Sequence, residues 1–174
     1  YFGYHGVLNK ETAEEVWNLC NAKLAEDGMS VRNIIRQSGV TLICTTDDPV
    51  DSLKWHQVLK EDDTFDVQVL PAWRPDKANG IEKPGFADYL KELGKAADME
   101  VKTFADIKEA LKKRMAFFDE MGCRASDHAL EYVMYVPASE EEIEAICAKK
   151  LAGGTVPKEE RLKYKKAFSR CVGQ

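Results

Sequence analysis

The chain has 174 residues, of which 44% are hydrophobic, and its 30 acidic and 25 basic side chains give a formal net charge of -5. This length and composition can build a hydrophobic core and argue against a disordered chain. The negative charge offers nucleic acid no general attraction, and no apolar run approaches the roughly 20 residues that a membrane-spanning helix needs.

Five cysteines are spread along the chain without a CxxC pair or a Cys/His cluster. This pattern is typical of reduced thiols in a cytoplasmic protein and gives no support to a zinc site or a nucleophilic thiol. The first residue is Tyr1 rather than Met, and the last residues continue a helical pattern. We therefore expect the chain to be a fragment of a longer sequence.

Residues 1–39 are predicted to form a helical segment. A first helix follows a cap at Asn9, and a shorter second helix ends at Gly39. The apolar positions that recur at helical spacing are Val16, Leu19, Cys20 and Leu24 in the first helix and Val31, Ile34 and Ile35 in the second.

Residues 40–136 show strands that alternate with helices. Short apolar runs predict strands at residues 40–45, 67–72 and 123–126, and residues 73–84 are predicted to form a loop. Thr103 can cap the third of the intervening helices, and Gly122 ends it. The apolar faces of these helices carry Leu53 and Leu59, then Phe86, Tyr89, Leu90 and Leu93, then Phe104, Ile107, Leu111 and Phe118.

Residues 137–174 are predicted to form a C-terminal helical segment. Ser139 and Glu142 have the spacing of a capping box, and Pro157 suits the first turn of a last helix. The lysines of that helix are typical of a solvated outer face.

Strands that alternate with helices at these distances predict parallel βαβ units and an α/β fold with about three parallel strands. Each predicted strand ends in a polar cluster, at residues 45–48, 73–77 and 124–128. The carboxyl ends of parallel strands meet at one edge, where ligands bind. The three clusters are therefore predicted to share one face.

Three ordered segments resemble the uronate isomerase family: TTDDPVDSL at residues 45–53, PAWRPDK at 71–77 and GCRASDH at 122–128. The flanking segments YFG at 1–3, GFADY at 85–89 and KLAGG at 150–154 are similar to the same family. One such motif alone is weak, but three in order with similar flanks make the resemblance specific. It extends over essentially the whole chain.

The resemblance implies the amidohydrolase superfamily and part of a (β/α)8 TIM barrel, about its second to fourth strands. Members of the family bind a divalent metal, usually zinc, through an HxH pair after the first strand and an Asp near the last strand. This chain contains no HxH pair, since its histidines are His5, His56 and His128. We therefore expect no metal ligand and no cofactor in this chain, with zinc in the full-length enzyme.

Arg74 is the first candidate for a substrate contact, because a guanidinium can hold the carboxylate of a uronic acid with two hydrogen bonds. Trp73 is predicted to pack against the sugar ring, and Asp47 and Asp48 to orient its hydroxyls. The alternative is structural: Arg74 pairs with nearby aspartates to hold the loops. Helix capping is the favoured role for Asp51.

Arg124, Asp127 and His128 form the third cluster. A histidine beside a carboxylate can move a proton, so Asp127 and His128 are candidate catalytic residues and Arg124 is a candidate substrate ligand. The alternative is a network that only fixes Arg124. His56, next to Trp55, is predicted to be a packed or capping histidine.

The resemblance implies an aldose-ketose isomerase that interconverts D-glucuronate with D-fructuronate and D-galacturonate with D-tagaturonate, moving a proton between C2 and C1 through an enediol. Its partner is then a small hexuronate, with no nucleic acid and no membrane. The chain alone is predicted to be inactive, because the metal ligands lie outside it.

Two alternatives remain from other classes. One is a non-catalytic, separately folding binding or structural module, and the other is a hydrolase of the same superfamily, against which WRPD at residues 73–76 argues. The open edges of a partial barrel also predict either self-association of the fragment or terminal helices folded over the strands.

Overall fold

The computed structural model describes residues 1–130 and 132–172. In chain order these residues form α1 (Ala13–Leu24), a 3-10 turn (Asp27–Met29), α2 (Val31–Gln37), β1 (Leu42–Cys44), α3 (Lys54–Lys60), β2 (Gln68–Leu70), β3 (Ala72–Trp73), α4 (Asp76–Asn79), α5 (Phe86–Ala96), α6 (Phe104–Glu120), β4 (Ala125–Ser126), α7 (Glu140–Leu151) and α8 (Lys158–Val172). The helices within these described ranges include none that is long and apolar enough to cross a membrane.

The chain divides into two compact units. Unit 1 comprises Tyr1–Ile43 and Asp62–Gln68, and unit 2 comprises Cys44–Glu61 and Val69–Gln174. The division runs through β1 and β2, so each of these strands begins in unit 1 and continues in unit 2.

Charged side chains hold α2 to the second segment of unit 1. Arg32 donates to the Asp62 carboxylate at 2.6 Å, and Arg36 donates to Asp66 at 3.0 Å. Both guanidinium groups also lie over the ring of Phe65, 5.0 and 5.5 Å from its centroid. Unit 1 therefore joins two distant parts of the sequence mainly through the polar ends of long side chains.

Helix α1 begins later than the sequence predicted. Asn9 accepts hydrogen bonds from the Glu11 and Thr12 N–H groups, each at 3.0 Å, and so closes a turn before the helix. The residue at the cap position is Thr12, and α1 starts at Ala13. The prediction was wrong because an Asn side chain accepts hydrogen bonds from N–H groups two or three residues ahead in a turn as readily as at the start of a helix.

The predicted strands do lie beside one another, but as two two-stranded sheets instead of one three-stranded sheet. β1 pairs with β2, and β3 pairs with β4 in parallel, with Ala72 opposite Ala125 and Trp73 opposite Ser126. Past β1, the Asp47 N–H donates to the Ala72 carbonyl and the Arg74 N–H to the Asp47 carbonyl, both at 3.0 Å. The predicted strand at residues 67–72 is divided at Pro71, which has no N–H to donate.

Trp73 and the helices α5 to α8 build the core of unit 2. Its largest buried members include Phe86, Leu90, Leu93, Phe104, Ile107, Phe118, Tyr164 and Phe168. The Tyr164 hydroxyl donates to the Ala78 carbonyl at 2.9 Å and so fastens α8 to α4. The C-terminal helices therefore belong to the same core as the strand-end loops.

Local signals placed most helix ends correctly. Thr103 and Ser139 are both helix caps, each in a complete capping box. Gly39 and Gly122 follow helices with φ of 65° and 93°, a conformation that glycine adopts without strain. Two expectations need correction: the predicted loop at residues 73–84 contains α4, and Pro157 directly precedes α8 instead of lying in its first turn.

Candidate functional site

Polar side chains that follow β1 and β3 line an open cavity of about 330 Å³ in unit 2. Its lining consists of Thr46, Asp47, Asp48, Asp51, Arg74, Asp76 and Lys77. The first two predicted clusters therefore do share one face. They combine four carboxylates with two cations, a composition suited to a polar, charged ligand.

Arg74 connects this cavity with the third cluster. Its Nη2 donates to the Asp127 carboxylate, and its Nε lies 3.8 Å from Asp76 Oδ2. Nε is buried and has no hydrogen-bond partner among the described residues. With 37% of its side chain exposed, Arg74 keeps part of the guanidinium open to the cavity.

The loop after β4 is tied to the same place by backbone and side-chain bonds. The Asp127 N–H donates to the Trp73 carbonyl at 2.9 Å, and the Ala129 N–H donates to Asp76 Oδ2 at 2.9 Å. His128 Nδ1 lies 3.7 Å from Asp76 Oδ1, and the imidazole is 31% exposed. Asp127 thus contacts Arg74, and His128 lies beside Asp76.

Asp48 is held by three groups. Its Oδ1 accepts from the Tyr89 hydroxyl at 2.9 Å and from the Val50 N–H at 3.1 Å, while Oδ2 lies 3.4 Å from Lys77 Nζ. Burial, together with the Asp48 carboxylate, raises the pKa of Tyr89 well above its ordinary value. Tyr89 therefore acts as a hydrogen-bond donor that fixes Asp48.

The other aspartate, Asp47, is contacted by Thr45, which in turn contacts His56. Thr45 Oγ1 lies 2.6 Å from Asp47 Oδ2 and 2.7 Å from His56 Nε2. Asp47 Oδ2 also accepts from the Ala72 N–H at 3.2 Å. The sequence predicted a packed or capping histidine at position 56 and missed this contact, although His56 lies on α3, the helix that follows β1.

A buried arginine, for which the sequence predicted no role, binds the loop that carries Asp48 and Asp51. Arg114 donates from Nε to the Pro49 carbonyl at 2.6 Å and from Nη2 to the Asp51 carbonyl at 2.8 Å. It is 9% exposed, and burial lowers the pKa of its guanidinium. An arginine inside the heptad-like apolar pattern of α6 is the signal that could have found it.

Asp51 does not cap the next helix. Its Oδ2 accepts from the Asp48 N–H at 2.8 Å, which closes a tight turn. Helix α3 starts at Lys54, and its cap position holds Leu53 with φ of 53°. The predicted capping role is therefore wrong: Asp51 lies two residues before the cap position and stabilises the loop instead.

Two other predicted site residues lie away from the cavity. Trp73 is only 2% exposed, and its ring packs edge-on against Phe118 with 5.0 Å between centroids. Arg124 precedes β4 and donates to Asp119 Oδ1 at 2.6 Å, with 67% of its side chain exposed. The expected sugar contact of Trp73 is thus corrected to a core contact, and Arg124 does not join Arg74.

The side chains of the described residues do not form a donor set that fits a metal ion. Within residues 1–130 and 132–172, no group of three or more His, Cys, Asp or Glu side chains could hold one. The cysteines are unpaired, and burial raises the pKa of the Cys147 thiol to about 12, which keeps it protonated at neutral pH. Zinc chemistry is therefore assigned to none of these residues.

Comparisons with known proteins agree over the whole chain. Residues 1–174 match the model of the family described as glucuronate isomerase. The uronate isomerase of Lachnospira eligens is 67% identical over 174 residues, and that of Endomicrobium trichonymphae is 57% identical over 173 residues. These matches cover 100% and 99% of this chain but 37% of each relative.

Solved structures give the same result. The uronate isomerase of Thermotoga maritima is similar with a TM-score of 0.88 and 34% identity, over 99% of this chain and 38% of that chain. The glucuronate isomerase of Caulobacter crescentus, at 22% identity and a TM-score of 0.84, covers 99% of this chain and 36% of its own and shows the likeness of fold alone. The chain spans about 37% of the length of the curated relatives, and it belongs to the glucuronate isomerase family.

Proposed function

We propose that the complete protein containing this chain is a uronate isomerase that interconverts D-glucuronate with D-fructuronate and D-galacturonate with D-tagaturonate. The observation that carries the proposal is the open cavity after β1 and β3, lined by Arg74, Lys77 and four aspartates, in a chain that matches the family over its full length. A hexuronate is a small anion rich in hydroxyl groups. Cations for its carboxylate and carboxylates for its hydroxyls are the groups that it needs.

Arg74 and Lys77 are the proposed ligands of the substrate carboxylate. Both line the cavity, and 37% and 66% of their side chains are exposed. Arg74 is held in place from one side by Asp127, so its exposed part can be presented to a ligand without loss of conformational freedom on binding. Asp47 and Asp48 are the proposed acceptors for sugar hydroxyls.

Asp127 and His128 are proposed to assist the transfer of the proton between C2 and C1 through an enediol. The His128 imidazole is 31% exposed, and an imidazole can accept and return a proton near neutral pH. Asp127 is engaged by Arg74 and supports this arrangement by orienting the guanidinium. The metal of the family, usually zinc, is proposed to belong to the complete protein, since residues 1–130 and 132–172 offer no donor set for it.

The chain is proposed to be a segment of a (β/α)8 barrel of the amidohydrolase type. Support comes from the parallel pairing of neighbouring strands, the helices between them and the polar groups at their carboxyl ends. A cytoplasmic location is part of the same proposal and is supported by the free cysteines.

An activity assay tests the proposal. The purified complete protein is expected to convert D-glucuronate and D-galacturonate to their ketoses, whereas the 174-residue chain alone is expected to show no turnover with added zinc or manganese. No conversion by the complete protein would contradict the isomerase function. Turnover by the chain alone would contradict the placement of the metal ligands outside it.

Two arginine variants test the site. In the complete protein, Arg74→Met is expected to raise KM for D-glucuronate on the order of 10- to 100-fold, because charge-assisted hydrogen bonds to the carboxylate are lost. Arg124→Met removes an equal charge at a position that contacts Asp119, and KM is expected to stay unchanged. If Arg124→Met raised KM and Arg74→Met did not, the ligand of the substrate carboxylate would be Arg124 instead.

A further inference from the structure

The Asp47 carboxylate is bound by the protein through one of its two oxygens. Oδ2 accepts from the Ala72 N–H and lies 2.6 Å from the Thr45 hydroxyl, while Oδ1 has no hydrogen-bond donor among the described residues. Asp47 also lines the cavity. One oxygen is therefore bound by the protein, and the other remains for a ligand.

The proton on Thr45 can be assigned from the geometry. A hydroxyl has a single proton, and the two acceptors within reach of Thr45 Oγ1 are Asp47 Oδ2 at 2.6 Å and the Leu70 carbonyl at 3.3 Å, of which the carboxylate oxygen is the closer. Thr45 Oγ1 must then accept in its second short contact, the one of 2.7 Å to His56 Nε2. His56 therefore carries a proton on Nε2.

The contacts form a directed chain from His56 through Thr45 to Asp47. The side chains of His56 and Asp47 are only 10% and 13% exposed, so the hydrogen bonds are largely shielded from water and are stronger for it. The three residues come from three places: the end of β1, the loop after it and helix α3. This arrangement holds the Asp47 carboxylate in one rotational orientation.

We propose that Thr45 and His56 are positioning residues that aim Asp47 Oδ1 at a hydroxyl of the bound hexuronate. His56 donates to the Thr45 hydroxyl, which then directs its own proton to its nearest acceptor, Asp47 Oδ2, and Oδ2 is thereby removed from competition for the ligand. This inference rests on the proposed isomerase function for its substrate and on the hydrogen-bond geometry for its mechanism.

Matched variants of the complete protein test it. Thr45→Val and His56→Leu remove the hydrogen bonds at nearly constant volume, and each is expected to lower kcat/KM for D-glucuronate on the order of 10- to 100-fold. Thr45→Ser keeps the hydroxyl, and His56→Gln keeps an N–H near the position of Nε2, so both are expected to retain most of the activity. Thr155→Val, at an exposed position between α7 and α8, is the control and is expected to match the wild type.

A spectroscopic measurement separates positioning from mere stability. With ¹⁵N-labelled histidine, the His56 signals are identified by their absence in His56→Gln, and the ring is expected to be the Nε2–H tautomer at neutral pH. In Thr45→Val this preference is expected to weaken. An Nδ1–H tautomer in the wild type, or wild-type kcat/KM in Thr45→Val, overturns the proposal. If the wild-type protein does not isomerise uronates, the proposed function is wrong. The tautomer of His56 then still tests whether His56 donates to Thr45.

Discussion

The two units join distant parts of the sequence by different means. In unit 2, large apolar side chains from β3 and from helices α5 to α8 form one buried cluster. In unit 1, the buried apolar side chains of the described residues are Met29 and Val67, and Arg32 and Arg36 make the ion pairs of α2 with Asp62 and Asp66. Burial of a large apolar side chain contributes about 1.5 to 3 kcal/mol, whereas an exposed ion pair contributes less than about 1 kcal/mol.

This difference indicates where the stability of the chain lies. The polar cavity belongs to unit 2 and stands directly on its core, since Trp73 is buried while the next residue, Arg74, faces the cavity. We expect variants in the core and in its loop anchor to have large effects, and variants in the ionic network of unit 1 to have small ones.

Phe118→Ala is expected to have the largest effect. Phe118 is 1% exposed and packs against Trp73, so its removal leaves a cavity beneath the site and is expected to lower the free energy of unfolding by about 3 to 5 kcal/mol. Urea unfolding followed by circular dichroism measures the change. Met115→Ala, on the same helix at 40% exposure, is the control, and an equal loss there would contradict the assignment of the core.

Arg114→Met is expected to lower the free energy of unfolding by about 3 kcal/mol. The variant keeps the apolar stem but leaves the Pro49 and Asp51 carbonyls, which are bonded at 2.6 and 2.8 Å, without a donor. In the complete protein the loop with Asp48 should also loosen, and KM should rise. Arg114→Lys keeps the charge with fewer donors and should fall between the two. A Met variant as stable as the wild type would show that the loop does not depend on this arginine.

Thr103→Ala is expected to cost about 1 kcal/mol, the usual cost of a lost helix cap. Thr103 Oγ1 accepts from the Asp106 N–H at 3.0 Å. The effect should stay moderate, because Glu144 of α7 also accepts from the Phe104 and Ala105 N–H groups at 2.7 and 2.8 Å. Thr103→Ser should keep the wild-type urea midpoint in the same experiment. A Ser variant with the same lowered midpoint as the Ala variant would argue against the capping hydrogen bond.

Asp62→Asn is expected to have the smallest effect and to be visible through its pH dependence. Hydrogen bonds from Thr64 and then Arg32 lower the pKa of Asp62 from 3.8 to about 2. Since the folded pKa is depressed, the stabilisation is complete above about pH 4 and is lost as the pH falls through about 2. Wild type should therefore exceed Asp62→Asn in urea midpoint at pH 6, with Asp63→Asn as the control. An NMR titration that gives Asp62 an ordinary pKa would contradict the network.

Much of the secondary structure could be predicted because its signals are local. The cap at Thr103, the capping box from Ser139 to Glu142 and the helix end at Gly122 each depend on groups within a few residues of one another. Asn9 was misplaced for the same kind of reason, since its side chain can satisfy a turn or a helix start. The parallel neighbourhood of the strands followed from their alternation with helices.

The site could be predicted only in part. The end of a parallel strand placed Asp47, Asp48 and Arg74 near each other, and the family resemblance pointed to the same segments. Trp73, the last residue of β3, is buried in the core, whereas Arg74, directly after the strand, lines the cavity, as expected where successive side chains of an extended chain point to opposite sides. The sequence pattern did not show which of these two adjacent side chains is buried.

By itself the sequence determined most of the helices, the alternation of strands with helices and the family. Only the tertiary structure decided that Arg74 meets Asp127, that Arg114 holds the Pro49 and Asp51 carbonyls, and that Thr45 stands between Asp47 and His56. Arg74 and Asp127 are 53 positions apart and Arg114 and Pro49 are 65 apart. Hydrogen bonds act over about 3 Å, so pairs at such separations are selected by the packing of whole elements and leave no periodic trace in the sequence.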